Sequence, residues 1–305
     1  MKKKKFALFG LILSSILIPT MFKNPEKLKF SVVAKNSSSE SSIESLDAVC
    51  RNQLEALKSL CSFSGISINE NFDGNEALKL VESTQKQFFN RKPKQERWEN
   101  SPLEWITKNS GAVESFLKTL GFLDSIFPEK TEYDAVCILG AAGGTMKNRI
   151  KFLEKLVVDG LKTQKIVLLT GERYLTENID GSAEELAVVS DYFGIELKKL
   201  TETHLFKYLY EKSKLNGNFE LIVIDTPQRN GCRPTTQTTL EDFLKWQSNH
   251  SDIQNILFIS NQPSVKYQEA VISEVLYYYK SGLNFEVVGD GCKSIKAVTP
   301  KKRTV

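Results

Sequence analysis

Short apolar segments that alternate with amphipathic helical segments predict an α/β fold for the second half of this 305-residue chain. After Pro128, five apolar runs end in polar or glycine-rich turns, and four of them lead into a helical pattern. This alternation is typical of a doubly wound, mainly parallel five-stranded sheet with helices on both faces. The predicted strands span 136–139, 165–170, 219–224, 256–260 and 285–288, and the predicted helices span 146–159, 182–193, 236–246 and 265–279.

The first predicted strand ends in a run of small residues from Gly140 to Thr145. Small residues let a ligand approach the backbone closely, and the first N–H groups of a following helix have no internal partner. We therefore consider Gly140, Gly143, Gly144 and Thr145 candidate ligand contacts. The alternative is that the glycines serve only a tight turn and close packing of the strand against the helix.

The other four strands also end in polar or glycine-rich segments. Ligands of open α/β sheets bind outside the carboxyl ends of the strands. The coincidence of five such ends favours a binding site at this edge, whereas loops 159–164 and 249–252 at the opposite edge are typical of ordinary connections. The carboxyl-edge segments are 140–145, 171–173, 225–239, 260–264 and 289–291.

Four residues near the first, second and fourth strand ends are candidates for anion, ribose or amine binding. Arg149, one turn into the first helix, could reach an anion held by the glycine amides, or could form a surface salt bridge. Glu172, after Gly171, could contact a ligand or pair with Arg173. Glu184 could bind a ribose or an amine, or could only complement its helix dipole. Asn261 follows the fourth strand and is a further candidate.

Acidic and hydroxyl side chains mark the third and fifth strand ends. Asp225 and Asp290 are candidates for metal binding or general base catalysis, although aspartate often only initiates a turn. Thr235 and Thr236 open a helix, where their hydroxyls suit phosphate binding or capping equally. The identity of a metal is left open.

Several common sites are disfavoured by what the sequence lacks. His204 falls in a predicted helix and His250 in a loop at the opposite edge, which disfavours a Ser–His–Asp triad or a histidine-rich metal centre. The chain has no Gly-x-Ser-x-Gly motif, no P-loop and no Cys-x-x-Cys pair.

The 41 basic residues exceed the 37 acidic ones only because five lysines lie in the first 23 residues. The nearly neutral remainder gives no reason to expect nucleic-acid binding.

Residues 1–23 are typical of a signal peptide or membrane anchor, because Lys2 to Lys5 precede an uncharged, mostly apolar run that ends at Pro19. Retention of the lysines on the cytoplasmic side would place the rest of the chain outside the cytoplasm. Residues 24–45 are predicted to be a linker, and 46–128 a helical region whose aromatic residues belong to a core. The α/β domain is predicted to span 129–305.

The five cysteines are an odd number for an exported protein. Cys137 lies in the first predicted strand and is expected to be a small buried residue. Cys50 and Cys61 could form a bridge only if their helix breaks between them. A bridge between Cys232 and Cys292 is conceivable, because both follow strand ends.

The order of these segments resembles the YdcF/SanA/ElyC-like family of bacterial proteins over residues 133–288. The matching features are Ile138-Leu139-Gly140 with Arg149, the strand that ends at Gly171, Glu184 at a helix start, the threonine-rich segment 235–241, and the strand at 256–260. The family usually has a histidine and an arginine after that strand, whereas this chain has Asn261-Gln262-Pro263, so shared catalysis is not expected. The resemblance implies a Rossmann-like fold, a bacterial envelope setting and a nucleotide-like ligand such as S-adenosylmethionine.

These observations predict an exported or membrane-anchored protein that binds a small anionic or nucleotide-like ligand, in the periplasm, at the inner membrane or after secretion. One alternative is an envelope-assembly or scaffolding protein in which the cleft is vestigial. Another is a metal-dependent hydrolase or transferase that uses Asp225 or Asp290.

Overall fold

The computed structural model describes residues 40–68, 80, 83, 104–250 and 252–292. The predicted signal peptide or anchor at 1–23 lies outside the described residues, as do most of the linker and part of the helical region. The chain divides into two compact units, formed by 1–124 with 291–305 and by 125–290.

In the first unit, three helices contribute to a small apolar core. They are α1 (Glu40–Phe63), α2 (Glu104–Lys108) and α3 (Ser110–Thr119). Helix α1 begins inside the segment that we predicted as a linker. Leu60, Ile106 and Leu117 are buried in this core, and Trp105 packs against it. Among the described residues, no helix is both long and apolar enough to span a membrane.

The second unit is built on a five-stranded, fully parallel sheet with the order β3-β2-β1-β4-β5. This confirms the predicted α/β fold with a Rossmann-like doubly wound sheet. The bounds of each strand differ from the predicted segment by one to three residues in total, and β3 begins one residue later than predicted. The strands are β1 (Ala135–Leu139), β2 (Lys165–Gly171), β3 (Glu220–Thr226), β4 (Asn255–Asn261) and β5 (Asn284–Asp290).

Helices cover both faces of this sheet, which explains why the strands are apolar without interruption. The helices are α4 (Gly143–Val158), α5 (Ala183–Phe193), α6 (Glu202–Glu211), α7 (Thr236–Gln247) and α8 (Val265–Tyr278), with a 3₁₀ turn at Leu197–Lys199. On one face of β1, Val136 and Ile138 pack in a core with α4 and α6. On the other face, Cys137 and Leu139 pack in a core with α7 and α8.

Helix α4 begins three residues before the predicted start at 146. Gly143, Gly144 and Thr145 therefore form its first turn, and the loop between β1 and α4 contains only Gly140, Ala141 and Ala142. Glycine has a low intrinsic helix propensity, so the sequence pattern placed the start too late. Tertiary contacts at Gly143, described below, stabilise this turn.

The cysteines that the structure describes with their side chains are all free thiols. Cys137 is fully buried, as predicted, and burial also raises the pKa of the Cys61 thiol to about 12. Helix α1 continues without a break past both Cys50 and Cys61, so the condition for a bridge between them is not met. Cys232 and Cys292 are free thiols and do not form the conceivable bridge.

Truncation of a core side chain in β4 should destabilise the α/β unit strongly. Phe258 is fully buried between its aromatic neighbours Phe243 and Phe285. We expect Phe258→Ala to lower the free energy of unfolding by about 3–5 kcal/mol, because it removes apolar contacts and leaves a cavity. Chemical denaturation followed by circular dichroism would measure this change. Tyr278→Ala, at a site that is 77% exposed, is the matched control and should change stability by less than about 0.5 kcal/mol. Equal effects of the two variants would contradict this description of the core.

Candidate functional site

The strand order places a topological switch point between β1 and β4. Strand β1 leads to α4 on one face of the sheet, whereas β4 leads to α8 on the other face. The two connections therefore diverge, and in open α/β sheets ligands bind in the crevice that this divergence creates. Gly140 and Asn261 lie at the two strand ends that border it.

Arg149 ties these two strand ends together. It is only 3% exposed, and its Nη1 donates hydrogen bonds to the carbonyl oxygens of Leu139 at 2.6 Å and Gly140 at 3.0 Å. Its Nε donates to Asn261 Oδ1 at 3.0 Å. The side chain is thus buried beneath the crevice and is not at the surface, where we had considered a salt bridge for it. These contacts fix the backbone of the first loop and the orientation of the Asn261 amide.

The glycine segment is packed tightly at two positions and open at a third. A Cβ atom at Gly140 would overlap Glu202 Oε1 and lie 2.8 Å from the Leu169 carbonyl oxygen, and one at Gly143 would overlap the Asp180 carbonyl oxygen. A Cβ atom at Gly144 would meet no atom within 4 Å. Gly140 and Gly143 therefore serve close packing, as the alternative interpretation expected for the glycines in general.

Most of the first amides of α4 are already hydrogen-bonded within the protein. The Gly143 N–H donates to Asp180 Oδ1 at 3.2 Å, and the Thr145 N–H donates to the Ala142 carbonyl oxygen at 2.9 Å. Within the described residues, the Gly144 N–H has no hydrogen-bond partner. In the first turn of α4, the N–H of the exposed Gly144 is therefore open to a ligand.

A cluster of charged side chains lies beside this segment, on the β2 side. Arg173 contacts both oxygens of the Asp180 carboxylate, at 2.8 and 2.9 Å, and its Nε donates to Glu202 Oε2 at 2.9 Å. Burial lowers the pKa of Arg173, but the hydrogen bond to Asp180 and the charge of Glu202 outweigh it and raise that pKa. Burial raises the pKa of Glu202, and the charge of Arg173 opposes this shift. Arg173 therefore pairs with these two carboxylates rather than with Glu172.

Sequence reasoning missed Asp180, Glu202 and Thr203 as residues of this edge. Helix α6 returns from the β2 side to the start of β3, so it runs opposite to the strands and its N-terminus lies at their carboxyl ends. Thr201, which caps the helix, was a signal that could have located this start. The helix thereby brings Glu202 and Thr203 to the carboxyl edge.

The β2 end is joined to the loop after β3. The backbone N–H of Gln228 donates to Glu172 Oε2 at 3.0 Å, and the Gln228 side chain donates to the Glu172 carbonyl oxygen at 3.0 Å. A Cβ atom at Gly171 would lie 2.5 Å from Pro234 Cβ. In this structure Glu172 therefore helps to position the loop, and Gly171 allows the loop to pack closely.

Asp225 and Asp290 lie on opposite edge strands, with β2, β1 and β4 between them. Asp225 Oδ1 accepts a hydrogen bond of 2.6 Å from the hydroxyl of Thr203, which also contacts the hydroxyl of Thr170. Asp290 Oδ1 accepts one of 3.0 Å from Ser125. The structure thus gives the two carboxylates separate surroundings. No group of three or more His, Cys, Asp or Glu side chains suited to a metal occurs in the part of the chain that the structure describes.

Three further candidates lie at helix starts and are exposed or half-buried. Thr235 caps α7 by accepting a hydrogen bond from the Thr238 backbone N–H, and Thr236 is the first residue of that helix. Glu184 is exposed in the first turn of α5, where a hydrogen bond from Ser182 lowers its pKa. These contacts are local to the two helix starts and do not join the three residues to the Arg149 or Arg173 groups.

His204 is closer to the carboxyl edge than its position in a helix led us to expect. It is the third residue of α6, and its Nδ1 accepts a hydrogen bond of 3.1 Å from the Thr201 backbone N–H. Partial burial lowers the pKa of His204, and the negative charge of Asp225 opposes that shift. The imidazole therefore acts as a capping group at the start of the helix.

Comparison of the chain with protein-family models and with curated proteins finds no match. The residues of the carboxyl edge are therefore the basis on which a ligand can be assigned. They include an open amide in the first turn of α4, a buried arginine that joins two strand ends, and a charged cluster whose arginine is paired with two carboxylates.

Alanine should destabilise the protein at Gly140 but not at Gly144. We expect Gly140→Ala to lower the free energy of unfolding by about 1–3 kcal/mol, because the new methyl group overlaps Glu202 and the backbone of β2. Gly144→Ala should leave stability unchanged or raise it by up to about 1 kcal/mol, because the site is open and helical. Chemical denaturation of both variants would test this contrast. Destabilisation of the two variants by the same amount would contradict the described packing.

Proposed function

We propose that the protein binds a small nucleotide-like or anionic ligand in the crevice between the ends of β1 and β4. The observation that carries this proposal is the switch point itself, because crevices of this kind are the usual ligand sites of doubly wound sheets. A kinship with the YdcF-like family, with S-adenosylmethionine as one candidate ligand, is part of the same proposal.

The electrostatics at the strand ends support an anionic group on the ligand. Helices α4 and α8 both begin at this edge, directly after β1 and β4. A helix N-terminus carries partial positive charge and presents N–H groups that lack helical partners. In our proposal, the Gly144 N–H binds one anionic oxygen, and Arg149 contributes positive charge from beneath the crevice.

The same arrangement suggests how the ligand is oriented. Arg149 and Asn261 are held by each other and by backbone carbonyl groups, so they form a fixed floor. A rigid floor lowers the entropic cost of binding because few side chains have to become ordered. In this proposal the ligand lies above the floor, with its anionic group toward α4.

A negative charge introduced at Gly144 should weaken ligand binding without weakening the fold. Gly144→Asp places a carboxylate in the first turn of α4, where it stabilises the helix by about 0.3–1 kcal/mol but repels an anion. Titration calorimetry with S-adenosylmethionine, adenosine, AMP, ATP and inorganic phosphate would measure binding. We expect at least one compound to bind the native protein and to bind Gly144→Asp about tenfold more weakly, which corresponds to one lost hydrogen bond to a charged group.

Gly282→Asp provides the matched control for this experiment. Gly282 is also exposed, and a Cβ atom added there would meet no atom within 4 Å, but the residue precedes β5 and so lies at the opposite edge of the sheet. Affinity should be retained in this variant. Absence of binding by every compound, or equal affinity in the native protein and Gly144→Asp, would contradict the proposed site.

We also propose that residues 1–23 direct the chain out of the cytoplasm, either as a cleaved signal or as an anchor. The basic start and apolar run support this location. Fusion of the full chain to alkaline phosphatase, an enzyme that is active only after export in bacteria, should give an active reporter. Removal of residues 2–23 should abolish the activity, because the basic and apolar segments are lost. Equal reporter activity with and without these residues would contradict the proposal.

A further inference from the structure

The chain supplies its own anion to the first amide of α4. The carboxylate of Asp180 accepts the hydrogen bond from the Gly143 N–H, at the position where a phosphate oxygen binds in many sheets of this type. Asp180 is far from the glycine segment in sequence, and the connection between β2 and α5 brings it there. An intramolecular carboxylate therefore occupies the position that an external anion would take.

The Asp180 carboxylate is buried and accepts hydrogen bonds from several donors. Its side chain is 0% exposed, and Arg173 binds its two oxygens through two nitrogens. Its Oδ2 also accepts a hydrogen bond of 2.8 Å from the Thr176 N–H, and the Asp180 N–H returns a bond of 2.9 Å to the Thr176 carbonyl oxygen. The turn from Thr176 to Asp180 is thus a closed loop that presents the carboxylate to Gly143.

The hydrogen-bond donor at this position is already taken by the Asp180 carboxylate. The Gly143 N–H donates to Asp180 Oδ1, and the Asp180 backbone packs closely against Gly143. Arg173, which binds the same carboxylate, is committed to Asp180, to Glu202 and to the carbonyl oxygen of Ala141 at 3.1 Å. An incoming phosphate would have to displace a buried ion pair to gain these donors.

A second carboxylate adds to this effect. Glu202 is 9% exposed, and its Oε1 rests against Gly140, directly beside the crevice. Its Oε2 is bound by Arg173. An acidic side chain at this point repels additional negative charge and favours ligand groups that donate hydrogen bonds, such as hydroxyl or amino groups.

We propose that Asp180 is a built-in anion that closes the phosphate position of this fold, so that the crevice accepts nucleoside-like ligands with at most one negative charge and rejects di- and triphosphates. This inference narrows the ligand class of the proposed function and rests on it. The Gly144 N–H, in the exposed first turn of α4, remains for the one anionic group, and Glu202 recognises hydroxyl or amino groups.

Removal of the built-in anion should create a phosphate site, and this can be measured without knowing the natural ligand. Asp180→Ala removes the acceptor of the Gly143 N–H and of the Arg173 Nη1 and Nη2 atoms, while Arg173 keeps its contacts with Glu202 and Ala141. We expect inorganic phosphate to bind this variant at least about tenfold more tightly than the native protein, because a charge-assisted hydrogen bond is worth about that factor or more. Titration calorimetry of the full chain, against chloride at equal ionic strength, would measure this change.

Two further variants make the outcome specific. Asp180→Asn retains an oxygen for the Gly143 N–H but removes the charge, so we expect a phosphate affinity between those of the native protein and Asp180→Ala. If Asp180→Ala does not fold, Asp180→Asn takes its place in the test. Its phosphate affinity should then be at least about threefold higher than that of the native protein, because the negative charge that repels phosphate is lost. Asp252→Ala removes the partner of Lys165 from an ion pair of 2.8 Å at the opposite edge, and should gain no phosphate binding.

The outcomes separate this inference from the proposed function. A gain of phosphate binding in the Asp180 variants supports the built-in anion even if no compound of the ligand panel binds the native protein. Equal phosphate affinity in the native protein and both Asp180 variants would overturn the inference, whether or not a ligand binds elsewhere in the crevice. ATP that binds the native protein as tightly as adenosine would also overturn it.

Discussion

The complete burial of β1 is the constraint on which the rest of the α/β unit depends. All five residues of this strand are buried, because β2 and β4 pair with its two edges and helices cover both its faces. A parallel strand in this position must be followed by a crossover that leaves the sheet at its carboxyl end. Because β4 leads to the opposite face, the connections that follow β1 and β4 diverge at their carboxyl ends. Arg149 satisfies carbonyl groups at this point and joins them to β4, so the floor of the crevice is a direct consequence of how the centre of the sheet is buried.

The charges at the carboxyl edge are largely compensated within the protein. Arg173 is paired with Asp180 and Glu202, and Arg149 with backbone carbonyl groups and an amide. Buried charges require such partners, because desolvation without compensation is very costly. The edge can therefore be stable without a ligand, and its chemistry is defined by the few polar groups that the internal pairs leave open.

The sheet could be predicted from the sequence because the burial of its strands leaves a local signal. Each strand is an apolar run with a polar turn after it, as in the segments that contain Ile138 and Phe258, so strand positions were correct within a few residues. The first turn of α4 could not be predicted, since Gly143 and Gly144 are poor helix formers and the turn depends on a contact with Asp180. The charged cluster was missed for the same reason. Arg173 and Asp180 come from the connection between β2 and α5, Glu202 comes from the start of α6, and only the path of α5 and α6 brings them to one edge.

The attachment of the Asp180 carboxylate to the polypeptide has a consequence for selectivity in a mixed environment. A group held within the same molecule acts at a high effective concentration, and a folded loop that already has the correct geometry increases this advantage. Free phosphate and other abundant small anions would therefore have to compete with the tethered Asp180 carboxylate, and not only with water, for the Gly143 N–H. In our proposal, the Asp180 carboxylate thereby keeps common inorganic anions from the Gly143 amide, and an organic ligand does not have to displace them there.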